Sequence, residues 1–130
     1  MDIVNLNEII ESNSADEHTF GRFVREQRER LGKTVRGFAQ ELDITPAYLS
    51  DIEKGNRYAP KAKLELLFQL LEVPEEQKSA FMDIASLTRG EFEDINPYLG
   101  QQHLARVALR KAEQVNLSNE KWKEIIRMMD

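Results

Sequence analysis

The stretch from Thr34 to Pro60, TVRGFAQELDITPAYLSDIEKGNRYAP, constrains the fold of this chain more than any other. Val35, Phe38, Ala39 and Leu42 recur at i, i+3, i+4 and i+7, so one apolar helical face is expected from about Thr34 to Leu42. Thr34 suits the N-cap of that helix. Asp43-Ile44 forms the turn, with Asp43 at a position that favours the left-handed conformation, which Asp tolerates better than most residues. Thr45 then caps a second helix. Pro46 takes its first position, where a missing N–H costs nothing. Leu49 and Ile52 face inward, and Gly55 closes the helix as a C-cap glycine does. Pro60 marks the start of the next helix.

Two short helices joined by such a turn make a helix-turn-helix. The stretch resembles the phage-repressor and Cro type of this motif, the XRE family. The resemblance rests on Arg28, Thr34, Phe38-Ala39, Leu42, Ile44-Thr45, Leu49-Ser50, Ile52-Glu53, Gly55 and Pro60, and covers roughly Phe20 to Val73. It implies an all-α chain: a five-helix repressor-type helix-turn-helix domain with an additional C-terminal helical region.

Net charge is −5, which sits oddly with a nucleic-acid partner, but the charges are unevenly placed. Residues 1–17 carry five acids and no base. Residues 18–63 carry ten bases against six acids. Residues 64–103 return to acid, with two bases against eight. The basic excess therefore coincides with the motif, where phosphate binding needs it.

In the family the second helix of the motif enters the major groove with its N-terminal end. The matching base-reading candidates are Thr45, Pro46, Ala47, Tyr48, Ser50 and Asp51. No Arg, Asn or Gln stands among them, so the bidentate contacts to guanine or adenine are missing from the helix itself. Thr45 and Ala47 suit a thymine methyl, and Asp51 a cytosine amino group. By the same analogy the phosphate contacts are Thr34, Arg36, Lys54, Asn56, Arg57, Tyr58 and Lys61. Val35 replaces a polar residue common in the family, and Gly37 is unusual inside a helix. Arg28 and Glu53 match a structural pair that ties the second motif helix to the helix before the motif.

Around the motif, Phe20, Phe23, Val24, Gln27 and Leu31 mark a helix over 18–31 that Gly32 ends. Leu64, Leu67, Phe68 and Leu71 mark another over 59–72. Pro74 opens a further helix with Phe81, Ile84 and Ala85 inside, ended by Arg89-Gly90. EFEDINPYLG, residues 91–100, reads as a loop, because Pro97 disfavours helix at Asn96. Helices follow over 101–115 (Leu104, Val107, Ala108, Ala112, Val115) and after Ser118 (Trp122, Ile125, Ile126, Met129). Ile3, Val4, Leu6, Ile9 and Ile10 suggest a short N-terminal helix that docks on the body or on a second subunit. The expected organisation is an arm and linker over 1–17, a DNA-binding domain over 18–73, and a helical extension over 74–130 for dimerisation or partner binding.

The functional expectation is a sequence-specific regulator of transcription: a homodimeric repressor on a double-stranded operator, with its own promoter the target the resemblance suggests. The alternative is an antitoxin or adaptor whose C-terminal helices restrain a protein partner. Zero cysteines exclude disulfides and thiolate chemistry. His18 and His103 are far apart and in no ligand spacing, so neither an enzyme, a metal site nor a cofactor is expected. No apolar run approaches a membrane span, and MDIVNLNE lacks a basic leader, so the expected location is cytoplasmic.

Overall fold

The computed structural model describes residues 5–89 and 95–130. Among these the chain is all helix, with no strand. It divides into two compact units, Met1–Glu91 and Phe92–Asp130.

The first unit holds α1 (Leu6–Glu11), α2 (Thr19–Arg30), α3 (Val35–Leu42), α4 (Pro46–Glu53), α5 (Leu64–Leu70) and α6 (Lys78–Arg89). Its boundaries are wider than 18–73. Phe81 of α6 meets Phe20, Phe23 and Phe68 edge-on, with ring centroids 5.4, 6.2 and 5.6 Å away. One aromatic centre thus joins α2, α5 and α6, and edge-to-face rings at these distances add to their area burial. Phe38, Leu49, Ile52, Leu67, Leu71 and Ile84 fill the rest of the core. α1 docks on this body: Leu6 is fully buried, and its N–H donates to Gln77 Oε1 at 2.8 Å. Ile3 and Val4 lie outside the described residues.

Several ends differ from the sequence expectation. Pro60 and Pro74 each cap a three-residue 3-10 turn, Lys61–Lys63 and Glu75–Gln77, before the α-helix begins. An i→i+3 bond from Lys63 N–H to the Pro60 carbonyl at 2.8 Å tightens the first of these turns. α5 stops at Leu70, and Glu72 takes a left-handed conformation with φ 55°. Gly37 is the third residue of α3, not a mid-helix residue, and its N–H is held by the cap.

The second unit contains α7 (Asn96–Gln101), α8 (His103–Gln114) and α9 (Asn119–Met128). The loop expected over 91–100 is corrected at its C-terminal half, where α7 forms; residues 91–94 lie outside the described residues. Pro97 sits in the first turn of α7, where no intrahelical N–H is needed, so Asn96 can begin a helix despite the proline. Gln102, with ψ 91°, separates α7 from α8. Ser118 caps α9 by accepting from Lys121 N–H at 3.2 Å. Among the described residues of this unit only Ala112 is buried, Trp122 and Ile125 are half-buried, and Leu104 stays 75% exposed.

Candidate nucleic-acid interface

α3 and α4 are set by three local devices. The Thr34 hydroxyl accepts from Gly37 N–H at 3.0 Å and so satisfies one of the free donors at the start of α3. Asp43 is left-handed (φ 56°, ψ 46°), and Ile44 N–H returns to the Ala39 carbonyl at 3.0 Å. The Thr45 hydroxyl accepts from Tyr48 N–H at 3.0 Å, with Pro46 beginning the helix. Gly55, at φ 80°, ends α4, and Asn56 N–H reaches back to the Asp51 carbonyl at 2.9 Å. A non-glycine residue is strained at such an angle.

α4 is held from behind by α2. Arg28, with its side chain only 8% exposed, donates to Glu53 Oε2 at 2.7 Å and Oε1 at 3.0 Å. Its third bond, 2.8 Å to the Lys33 carbonyl, ties in the loop before α3. The Glu53 hydrogen bonds raise the guanidinium pKa of Arg28 above its ordinary value, so this arginine stays charged. Gly21 is the second fixture. A Cβ there would lie 2.5 Å from the Ile52 carbonyl oxygen and 2.6 Å from that of Glu53. Only glycine permits this approach of α2 to the end of α4. The sequence reading missed it, although a glycine inside a helix costs about 1 kcal/mol and signals close packing.

The base-reading candidates divide by exposure. Thr45, Pro46 and Ala47 are exposed, whereas Tyr48, Ser50 and Asp51 are half-buried. All seven phosphate candidates, Thr34, Arg36, Lys54, Asn56, Arg57, Tyr58 and Lys61, are exposed. Two candidates from different groups meet directly: the Arg57 guanidinium lies over the Tyr48 ring, 3.7 Å from its centroid. Arg89 of α6 lies over the Tyr58 ring at 4.4 Å. Between these stacks is a cleft of about 230 Å3, lined by Tyr48, Gly55, Asn56, Arg57, Tyr58 and Thr88. Thr88 and Arg89 were outside the sequence-based set, because they lie on the helix that spacing marks only as core.

Among the described residues there is no group of three or more His, Asp and Glu side chains able to hold a metal, and no helix is long and apolar enough to cross a membrane.

Residues 19–81 match the family model of a helix-turn-helix domain, a span of just under half the chain. That match supports a DNA-binding regulator. A search of curated proteins and a search of solved structures each returned no match.

Proposed function

We propose that this chain is a sequence-specific transcriptional regulator of the phage-repressor and Cro type, acting as a homodimeric repressor on a two-fold operator. The single observation that carries the reading is the presentation of α4. Both ends of the helix are capped, the buried Arg28–Glu53 pair fixes it, and the seven candidate phosphate contacts, at the start of α3 and in the segment after α4, are exposed. A helix presented in this way enters a major groove with its first turn against base edges.

Support for the dimer comes from what the second unit leaves uncovered. Leu104, Val107 and Val115 of α8 and its turn stay exposed, as does Ile126 of α9. Fragments below about 40 residues seldom bury enough surface to stand alone. A second copy brings the same two apolar stripes, so two such pairs complete a four-helix arrangement. A single helix-turn-helix also buries too little DNA-facing surface for tight binding, which a two-fold site corrects.

The test is a salt-titrated binding assay on DNA from upstream of the coding region beside random duplex of equal length, with the mass in solution measured by light scattering. A dimer that prefers the upstream DNA and leaves a two-fold footprint is the expected result. A monomer with no preference at physiological salt rejects the homodimeric repressor, and the apolar stripes then belong to a different protein, as in an antitoxin or adaptor.

A further inference from the structure

We propose that Arg57, mounted on the ring of Tyr48, is a specificity-determining base reader that takes the O6 and N7 acceptors of a guanine in the major groove. The proposal rests on the reading of α4 as the helix that enters the groove, and it names the residue that supplies the bidentate contact α4 itself lacks. The resemblance puts Tyr48 on a base and Arg57 on a phosphate; the stack exchanges these roles.

The exposed side of α4 is poor in readers. Thr45, Pro46 and Ala47 are short, and no Arg, Asn or Gln stands on the helix. Tyr48 has the longest reach in the first turn, but its ring is already covered: the Arg57 guanidinium lies 3.7 Å from the centroid. An arginine from the loop after α4 is thereby brought back to the turn at which α4 begins.

Three features hold it there. Gly55, left-handed at φ 80°, turns the chain, and the bond from Asn56 N–H to the Asp51 carbonyl at 2.9 Å fixes the backbone one residue before Arg57. Tyr48 is half-buried and packs against the hydrophobic core, so its ring is a fixed platform. Stacking on that ring sets the plane of the guanidinium and leaves its N–H edge directed sideways. Among the described residues no hydrogen bond or ion pair occupies this edge, in contrast to Arg28, which is bonded to Glu53 and to the Lys33 carbonyl.

A phosphate asks mainly for charge, and a mobile side chain supplies it. A guanine edge asks for two donors in one plane. An arginine whose plane is set before binding loses less freedom on making that pair. The mounting of Arg57 therefore fits a base better than a phosphate. One effect opposes it: the covered face of the guanidinium gives up hydration. The attraction between the cation and the ring face offsets that loss.

The test uses the full chain, with upstream and random duplex of equal length compared over a range of salt. Arg57→Ala should lower affinity for the upstream duplex by about 5- to 150-fold, the range for one bidentate base contact, and leave random duplex near wild type. Equal weakening on both, with the slope of log K against log salt reduced by about 0.9, makes Arg57 a phosphate contact and overturns the proposal. No change on either duplex overturns it too. Selection from a random duplex pool reads the contact base by base: the wild type should enrich a guanine at one position, and Arg57→Ala should accept any base there. Tyr48→Leu, which removes the ring face, should lose the same guanine, and Tyr48→Phe, which keeps the face without the hydroxyl, should retain it. A guanine kept by the leucine variant, or lost by the phenylalanine variant, would take the ring out of the mechanism. A wild-type chain that enriches no sequence rejects the sequence-specific reading of the protein, and the proposal falls with it; the two failures are distinguishable because only the second appears in the unaltered protein.

Discussion

Arg28 and Glu53 meet through two hydrogen bonds of 2.7 and 3.0 Å in a place almost closed to water. The pair joins α2 to the last residue of α4, so any loosening moves the helix proposed to face DNA. Desolvation opposes such pairs, and removing one partner strands the other as a buried charge. Glu53→Ala should therefore destabilise the fold by about 3–5 kcal/mol, and replacing both residues by apolar ones of similar volume should restore much of the loss. Urea unfolding midpoints measure both. A shift under about 1 kcal/mol for the single variant would show the pair to be dispensable.

Gly21→Ala tests the close approach of α2 to α4. Its Cβ would meet two backbone carbonyl oxygens at 2.5 and 2.6 Å, and neither can turn aside like a flexible side chain. Overpacking of this kind costs about 1–3 kcal/mol. The ordinary gain of alanine over glycine inside a helix points the other way, at about 1 kcal/mol. The clash should win, with a lower melting temperature and weaker DNA binding even in the fraction that stays folded. An unchanged or raised melting temperature would mean that α2 and α4 separate freely.

How far the sequence reveals this fold depends on whether the signal is local. Caps and turns are local: Thr34, Asp43, Thr45 and Gly55 could be assigned from residue type and position because each acts within four residues of itself. The pairing of Arg28 with Glu53, 25 residues apart, was legible only through the family resemblance. Gly21, the Tyr48–Arg57 stack and the approach of Arg89 to Tyr58 were not legible, because periodicity records which face is buried and not what it is buried against. The proline at 97 misled for a related reason. Proline forbids helix only after the first turn, and spacing alone did not locate that turn.

The Thr45 hydroxyl is the sole side-chain cap of α4. Thr45→Ala should cost about 1 kcal/mol by the usual loss at an N-cap, while Thr45→Ser should cost little. Because the same residue is a proposed base reader, the two variants separate stability from recognition. The serine variant keeps the cap and loses the methyl group, so a changed sequence preference with an unchanged melting temperature would assign the methyl a role in readout. Selection from a random duplex pool, run beside thermal melts, measures both; equal preferences would remove Thr45 from the readers.

Asp16 governs the other end of α2. Its carboxylate accepts from His18 N–H at 2.8 Å, and its own N–H donates to the Thr19 hydroxyl at 2.8 Å. The hydrogen bond from His18 holds the carboxyl below its ordinary value of 3.8. A carboxylate whose folded pKa is depressed adds stability that is complete above the unfolded value and lost as pH falls through the folded one. The contribution should therefore be constant from neutrality down to about pH 4 and fade below it. The site is fully exposed, so the effect is small, and a control is needed against the other carboxylates that titrate in the same range. Asp16→Asn supplies it, since asparagine caps a helix start about as well as aspartate and does not titrate. Melting temperatures of the two proteins should run parallel at neutral pH and converge or cross as acid removes the charge only from the wild type. Parallel curves throughout would mean that this turn holds no charge-dependent part of the fold.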